Sequence, residues 1–216
     1  QCDDCLATFD ADELIDKKCK YCGSPVSKKS NVHLFWKLSN YQNQIAEYVQ
    51  SHEHLWRLSA INESQKYLAN EGLVDRAITR ELNWGIDIPI KDFETKKVYV
   101  WIDAVLGYIS AGKKFCIEHG LNWEDFYKDS PDLDSYYVHG KDNIPFHTII
   151  FPALLLALNE NYQLPNHIVS SQFLNIANEK ISKSKGNGIA VKDLLKEYSS
   201  DSIRYCLTYQ APELKD

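Results

Sequence analysis

The amino-acid sequence predicts an α/β fold built on parallel strands. Three short runs rich in β-branched and aromatic residues have the composition of buried strands, and helical patterns separate them. Strands that alternate with helices pair in parallel through right-handed crossovers. A polar cluster follows each of the three runs. Since ligands of such sheets bind at the carboxyl ends of the strands, the clusters predict one nucleotide-type site at one edge of the sheet.

The first part of the chain is predicted to be mainly helical. A loose alternation of apolar and polar residues over residues 33–38 indicates a short strand. Apolar residues at helical spacing then predict an amphipathic helix over residues 41–52. A second helix is expected over residues 62–70, where Gly72 stops it. Residues 84–89 are rich in turn formers and are expected to lead into the sheet.

The three predicted strands and the helices between them make up most of the remaining chain. A helix is expected after the first strand, running towards His119, and an apolar helix is expected over residues 146–158. Pro152 must either kink that apolar helix or lie in its first turn. The strands are assigned to residues 98–102, 136–140 and 167–173.

Two short helices are expected near the end of the sequence, over residues 191–198 and 202–209. Ser200 or Asp201 is expected to cap the second of them, because a side-chain oxygen at that place can accept a hydrogen bond from a free backbone N–H. This helical pair would follow directly on the third polar cluster.

A lysine-rich segment is the most informative of the polar clusters, which cover residues 101–104, 139–142 and 179–187. Lys180, Lys183 and Lys185 are interleaved with serines, and Gly186 follows them. Lysines supply point charges for phosphate oxygens, hydroxyls and backbone N–H groups add hydrogen bonds, and glycine lets the backbone bend closely. The segment therefore predicts a loop that closes on a polyphosphate, although a solvated lysine-rich loop is the alternative.

Four of the six cysteines form two Cys-x-x-Cys pairs with 13 residues between them. Such pairs complete a tetrahedral shell for one structural zinc ion, and Gly23 suits the turn after the second pair. Two disulfides or a redox motif are the alternatives. Cys116 and Cys206 lie on helical patterns and are expected to be core thiols. The predicted zinc ligands are Cys2, Cys5, Cys19 and Cys22.

Composition sets further limits on function. The chain has 216 residues, a formal net charge of −6 and no methionine. An acidic chain does not favour non-specific nucleic-acid binding, although a basic loop can still bind phosphates. The sequence shows no signal peptide and no apolar run long enough to span a bilayer, so we expect no membrane partner and a cytoplasmic location. Because the sequence has no initiator methionine, we expect it to be a fragment of a longer protein.

These segments together resemble the methionyl-tRNA synthetase family of class I aminoacyl-tRNA synthetases. The similar stretches are CDDC…CKYCG, TRELNWGIDIP, VYVWIDAVLGYIS, HGKDNIPFH and EKISKSKGN, in that order, followed by SSDSIRYCLTYQAPELKD. EKISKSKGN is similar to the KMSKS loop of the class, with Ile181 at the usual Met position. The HGKDNIPFH block and the cysteine pairs narrow the resemblance to the methionine enzymes.

The resemblance implies the second half of a Rossmann-type parallel sheet with an inserted zinc-knuckle connective domain. It places a connective domain at 1–92 with the knuckle at 1–30, the second half of the catalytic sheet at 93–190, and the start of a helical region at 191–216. The family's His-x-Gly-His motif is absent from the sequence. The chain alone is therefore expected to be inactive.

The resemblance also implies a methionine pocket made largely of aromatic side chains. Aromatic walls suit a polarisable thioether, and a hydroxyl or imidazole donor to sulfur would help to reject aliphatic side chains. Arg80 would lie near the substrate carboxylate, with a surface ion pair as the alternative. Trp101 and Phe146 could equally be ordinary aromatic residues of the core. The implied pocket residues are Trp101, Val105, Tyr108, Phe146, His147 and Arg80.

For ATP, the resemblance implies a ribose site at Gly140 and Asp142, although a turn role for Asp142 is the alternative. Lys180 and Lys183 would be catalytic, because Lys183 stabilises the triphosphate as the methionine carboxylate attacks the α-phosphorus. Mg²⁺ would accompany ATP. The activated methionine would then pass to tRNA(Met).

Two other functions compete with this one. A synthetase for Val, Ile or Leu would carry a large editing insertion, for which residues 23–100 leave no room, and the cysteine enzyme would need a zinc ion with an open position. A non-catalytic zinc ribbon that binds RNA would have a basic face near the cysteines. The residues around the cysteine pairs are instead mixed in charge.

Overall fold

The computed structural model describes residues 15–18, 23–25, 30–69, 71–176, 179–181, 186 and 188–212. The chain divides into two compact units, Gln1–Leu34 and Phe35–Asp216. In the first unit, Lys18 and Pro25 form an isolated antiparallel bridge, and Gly23 has a φ of 69°. All four predicted zinc ligands lie outside the described residues.

The second unit contains all the named helices and strands. Its first part holds β1 (Phe35–Trp36), α1 (Gln42–Ser51), α2 (Leu58–Leu68), β2 (Arg76–Ala77), β3 (Thr79–Glu81) and β4 (Lys96–Val98). Its middle part holds α3 (Val100–Glu118), α4 (Glu124–Tyr127), β5 (Tyr136–Gly140), a π-helical turn (Phe146–Ile150) and α5 (Phe151–Leu158). The last part holds β6 (His167–Ser171), β7 (Asn175–Ile176), β8 (Glu179–Lys180), α6 (Val191–Leu194) and α7 (Ser200–Tyr209).

Parallel pairing is confirmed for the second and third predicted strands. β5 and β6 pair in parallel, with Tyr136 opposite His167 and Gly140 opposite Ser171. The π turn and α5 form the crossover between them. The other strand pairs of the described residues, β1–β2, β3–β4 and β7–β8, are antiparallel. The described part of the chain is thus α/β, with one parallel strand pair.

The strand predicted over residues 98–102 is wrong, so the described residues form a parallel pair instead of the expected three parallel strands. β4 ends at Val98 and pairs antiparallel with β3, whereas α3 already begins at Val100. The physical reason is periodicity, because the buried residues of α3, Val105, Ile109 and Cys116, follow helical spacing. A short apolar run by itself does not distinguish a strand from a helix.

Most helix predictions are confirmed within a few residues, with three corrections. α2 begins at Leu58, earlier than predicted, and α6 ends at Leu194. The cap of α7 is Ser199, whose hydroxyl accepts a hydrogen bond from the backbone N–H of Ser202, so the assignment to Ser200 or Asp201 is wrong. Cys116 is buried as expected. Cys206 is exposed on α7, and its prediction as a core thiol is wrong.

Pro152 lies in the first turn of α5, as one of the two expectations had it. Its ring removes an N–H and would clash with the carbonyl four residues earlier in a regular helix. The preceding residues wind more widely instead, and the N–H of Phe151 donates to the carbonyl of Phe146, five residues back. The result is a π turn, a form that occurs frequently at functional sites.

Two clusters of buried apolar residues hold this unit together. The first joins α1 and α2 to the π turn and β6, through residues that include Ile45, Ala60, Ile149 and Ile168. The second joins α3 to α5 through Val105, Ile109, Phe151 and Leu155. Burial of each large apolar side chain contributes about 1.5–3 kcal/mol, so both clusters fix the helices against the parallel pair. Among the described helices, none has the length and apolarity that a bilayer crossing requires.

Candidate active site

The candidate active site is a group of aromatic side chains beside the carboxyl end of β5. They come from α3, from β5 and from the π turn that follows it. Trp101 and Tyr108 lie on α3, whereas Phe146 and His147 are consecutive residues of the π turn. The fold therefore brings four of the six predicted methionine-pocket residues into contact in two pairs.

His147 and Tyr108 form the first pair. Only 4% of His147 is exposed. Its Nδ1 lies 2.8 Å from the carbonyl oxygen of Asn143 and must carry the proton, because a carbonyl only accepts. Burial, together with the neighbouring His139, lowers the pKa of His147 to about 4, against the smaller opposing effect of that backbone bond. The ring is neutral at pH 7, so Nε2 accepts the hydrogen bond that the Tyr108 hydroxyl donates over 3.0 Å.

Tyr108 is held in place from several sides. The Tyr127 hydroxyl donates to the backbone carbonyl of Tyr108 over 3.0 Å. Gly112 makes this possible, because a Cβ there would lie only 2.0 Å from the Tyr127 hydroxyl oxygen. The Tyr108 ring packs edge-on against Tyr137 and Phe151. With 44% of its surface exposed, Tyr108 is still accessible to a ligand.

Trp101 and Phe146 form the second pair. Their rings stack with centroids 4.4 Å apart and an interplanar angle of 20°. Trp101 is 38% exposed, whereas Phe146 is partly buried and packs against the second cluster, so the stack lies at the edge of the core. Val105 is 3% exposed and packs in the cluster with Phe151.

Two residues of β5 also belong to this group. Tyr137 was given no role from the sequence, and His139 was predicted only as a member of the polar cluster at residues 139–142. Tyr137 packs on His147 and Phe151, and the His139 ring stacks on His147 at 4.2 Å and 19°. Burial lowers the pKa of His139 and raises that of Tyr137. Strand alternation was the available signal, since residues two apart on a strand share a face.

Gly140 and Asp142 lie at the end of β5, where the sequence predicted a ribose site. Both are exposed. Gly140 has φ −76° and ψ 159°, which any residue can adopt, and a Cβ built there has no atom within 4 Å. Neither conformation nor packing within the free protein requires glycine at this position. Lys141, between them, places its Nζ 4.3 Å from the centroid of the Phe173 ring.

Arg80 occupies a different position from the aromatic pairs. It lies on β3, donates through Nη1 to the carbonyls of Ala77 and Thr79, and its guanidinium lies 4.1 Å from the centroid of the Tyr99 ring. Tyr99 is the residue at the N-cap of α3, two residues before Trp101. Arg80 is therefore connected to the site through its contact with Tyr99, at the start of α3.

Of the two lysines predicted to be catalytic, Lys180 lies on β8 and Lys183 falls outside the described residues. The β7–β8 hairpin begins four residues after β6 ends. The lysine segment therefore follows the parallel pair at the carboxyl end of β6.

Two surface hollows lie apart from this group, with volumes of about 590 and 490 Å³. Neither is lined by a predicted site residue, and both are open and shallow. Within the described part of the chain, no three His, Cys, Asp or Glu side chains are grouped so that they could hold a metal ion. The geometry and chemistry therefore favour the aromatic group as the candidate site.

Comparison with known proteins identifies the family to which this chain is similar. The family model described as "tRNA synthetases class I (M)" matches residues 1–216. The chain is 46% identical over 216 residues to Methionine–tRNA ligase 1 of Alkaliphilus oremlandii, and 45% identical over 218 residues to Methionine–tRNA ligase of Bacillus cereus strain B4264. Each alignment covers 100% of this chain and 39% of the relative. The chain thus spans about two-fifths of the length of the curated relatives it matches.

Solved structures agree with the sequence relatives. Two structures of Mycobacterium tuberculosis methionyl-tRNA synthetase, both with methionyl-adenylate, match with TM-scores of 0.65 and 0.66. Both are 27% identical, and the match covers 87% of this chain and 35% of theirs. Because the family model matches every residue and the fold agrees, this chain belongs to the class I (M) family of tRNA synthetases.

Proposed function

We propose that this chain is part of a methionine–tRNA ligase, which joins methionine to ATP as methionyl-adenylate and transfers the methionyl group to tRNA(Met). The observation that carries this proposal is the hydrogen-bonded Tyr108–His147 pair beside the stacked Trp101 and Phe146. The names of the curated relatives and the methionyl-adenylate in the related structures support it.

Methionine recognition follows from the chemistry of these side chains. The thioether sulfur is polarisable and packs favourably against aromatic rings, which Trp101, Tyr108 and Phe146 offer at an accessible surface. Sulfur is a weak hydrogen-bond acceptor, and the partly exposed Tyr108 hydroxyl is a donor within this group. The methionine sulfur offers this hydroxyl an acceptor that can compete with His147, whereas an aliphatic side chain of similar size offers none, and this difference favours methionine. Arg80 is proposed to support the pocket near the substrate carboxylate.

ATP is proposed to bind at the carboxyl end of the parallel pair. Asp142 would accept hydrogen bonds from the ribose hydroxyls, and Gly140 would leave room for the sugar. The methionine carboxylate attacks the α-phosphorus, an acyl–phosphate bond forms, and pyrophosphate leaves with the electron pair of the broken bond. Lys180 and Lys183 would stabilise the charge that develops on the phosphates, and Mg²⁺ would supply the counter-charge.

Zinc is proposed as a structural ion held by Cys2, Cys5, Cys19 and Cys22. Four thiolates leave no open position, so the ion would stabilise the fold without taking part in the reaction. The positive φ of Gly23 supports the expected turn at that residue, which follows the second pair in sequence.

The proposed domain bounds are a connective domain at 1–92, the second half of the catalytic sheet at 93–190 and the start of the helical region at 191–216. The helices α1 and α2 of the connective stretch pack in the same core as the π turn and β6. The function in protein synthesis supports a cytoplasmic location.

Methionine-dependent exchange of pyrophosphate into ATP tests the proposal. The full-length protein that contains this chain should catalyse the exchange with methionine and not with leucine or valine. The 216-residue chain alone should not, because its sequence lacks the His-x-Gly-His motif. Exchange supported better by another amino acid would refute the assignment to methionine.

A further inference from the structure

The π turn that carries His147 makes contacts on two sides. His147 faces Tyr108 on α3, whereas the next residue, Thr148, faces Ser64 on α2. Three consecutive residues of the turn are buried, with exposures of 4% for His147, 0% for Thr148 and 2% for Ile149. The position of this turn relative to α2 therefore determines where the His147 ring points.

Two buried hydroxyls connect the turn to α2. The Thr148 hydroxyl donates to the carbonyl of Ile144 over 3.0 Å, and the Ser64 hydroxyl donates to Thr148 Oγ1 over 2.8 Å. Ser64 Oγ also lies 2.7 Å from the carbonyl of Ala60, within α2. Buried polar groups with satisfied hydrogen bonds favour one arrangement, because separating the turn from α2 would leave Thr148 Oγ1 without the hydrogen bond from Ser64.

A second set of contacts fixes α2 to the parallel pair. Arg57, at the start of α2, donates through Nη1 to the carbonyl of Ser170 over 2.8 Å, and Ser59 Oγ lies 3.1 Å from Ser170 Oγ. Ser170 is the register partner of His139, whose ring stacks on His147. The helix α2 thus contacts Thr148, the neighbour of His147 in sequence, and also Ser170, the strand partner of His139.

We propose that Ser64 and Thr148 are positioning residues of the methionine pocket, whose hydroxyl–hydroxyl bond holds the π turn against α2 and so aims Nε2 of His147 at the Tyr108 hydroxyl. The importance of this arrangement for methionine binding rests on the proposed function. The arrangement itself is a property of the free chain and can be measured without substrate.

The first experiment follows His147 by NMR in the 216-residue chain between pH 4 and pH 8. The resonance is assigned from its loss in His147→Gln. In the original chain the ring should stay neutral until close to pH 4. In Thr148→Val, which keeps the volume and removes the hydroxyl, water should reach the displaced ring. The ring should then become protonated at a proton concentration about tenfold lower than in the unsubstituted chain, which is about one pH unit higher. Thr148→Ser keeps a hydroxyl at this position, so His147 should titrate as it does in the unsubstituted chain.

The second experiment measures kinetics in the full-length protein. Thr148→Val and Ser64→Ala should each raise the KM for methionine about tenfold through misplacement of His147. The KM for ATP should change less, since Gly140 and Asp142 precede the π turn in the chain and are not part of it. Ser51→Ala is the matched control, because its hydroxyl also bonds a carbonyl of its own helix, that of Tyr48, at 2.8 Å, and contacts no residue of the site.

The outcomes separate the two proposals. The NMR titration is also measured in Ser51→Ala. If Thr148→Val lowers the melting temperature but its His147 titrates at the same pH as in Ser51→Ala, the positioning role is overturned. Should Thr148→Val fail to fold, Ser64→Ala removes the same bond with a smaller change, and an unchanged titration in it overturns the role equally. If the titration moves while the full-length protein shows no methionine-dependent exchange, the positioning of His147 stands and the proposed function fails.

Discussion

The Tyr108 hydroxyl donates a 3.0 Å hydrogen bond to Nε2 of His147, and this bond joins α3 to the π turn. The Nδ1–H of the same ring donates to the carbonyl of Asn143 over 2.8 Å. Both polar hydrogens of the pair are thus used within the protein before any substrate binds. Binding of a sulfur atom by Tyr108 would therefore have to compete with an existing bond, which makes the hydroxyl sensitive to what occupies the pocket.

Tyr108→Phe should weaken methionine binding and selectivity. The ring would remain and keep its contacts with Tyr137 and Phe151, but a neutral, buried Nε2 of His147 would lose its donor, at a cost of about 1–3 kcal/mol. We expect a higher KM for methionine and a smaller preference over leucine, measured by pyrophosphate exchange in the full-length protein. Tyr198→Phe, on an exposed tyrosine beyond α6, should change neither value. Equal selectivity in Tyr108→Phe and Tyr198→Phe would exclude the hydroxyl from recognition.

Acid should destabilise the chain through His147. Its pKa falls from 6.5 to about 4 on folding, so the unfolded chain binds the extra proton first, and stability is complete above pH 6.5 and is lost as the pH falls towards 4. The loss amounts to roughly 3 kcal/mol at pH 4. His139, whose pKa is also lowered, adds to the loss in the same direction.

Urea unfolding at pH 7 and pH 4.5 measures this effect. The original chain should lose more free energy of unfolding between the two values than His147→Gln, whatever the absolute stability of the variant. Parallel pH dependence in the two proteins would show that His147 does not bind its proton preferentially in the unfolded state.

Gly140→Ala should leave the fold intact and impair ATP binding. The backbone at Gly140 suits alanine, and the added Cβ would meet no atom within 4 Å, so the melting temperature should stay the same. The methyl group would instead enter the space proposed for the ribose and raise the KM for ATP.

Gly112→Ala is the contrasting variant. Its Cβ would displace Tyr127 from the backbone of Tyr108, so this variant should be less stable and should affect methionine more than ATP. If Gly140→Ala left the KM for ATP unchanged, the ribose site would have to lie elsewhere.

Periodicity explains which elements could be predicted from the sequence. α1 has Ile45, Tyr48 and Val49 at helical spacing, and residues 136–140 form β5 as expected. The strand prediction for residues 98–102 was wrong because a run of four or five apolar residues fits a buried strand and the start of a long helix equally well. The π turn could not be predicted either, since Pro152 indicates a disturbance without specifying its form.

The candidate site shows the same limit. Trp101, Tyr108, Phe146 and His147 came from the family resemblance, because a spacing of nearly 40 residues carries no signal of contact. Tyr137 and His139 became visible as neighbours only through the fold, although their alternation on β5 was already in the sequence. Cys206 was assigned to the core by pattern alone, yet α7 presents it to solvent.

Metal content tests the cysteine pairs. The purified chain should contain one zinc ion, held by four thiolates, and Cys19→Ala should lose it together with part of its stability, since three thiolates bind the ion less tightly. Cys206→Ala changes an exposed cysteine outside the pairs and should keep the ion. A folded, zinc-free original chain would rule out the structural role.

Lys183→Ala should separate the reaction from substrate binding. If Lys183 engages the phosphates mainly as charge develops on them, its removal lowers the rate of adenylate formation in the full-length protein and leaves the affinity for methionine nearly unchanged. Loss of one charged donor to a transition state costs about 100-fold or more in rate. Lys192→Ala, an exposed lysine on α6, is the control for general charge effects and should react at the original rate. A matching loss of methionine affinity in Lys183→Ala would instead mean that the lysine organises the site in the ground state, because a group that acts only in the transition state cannot change how tightly the substrate binds.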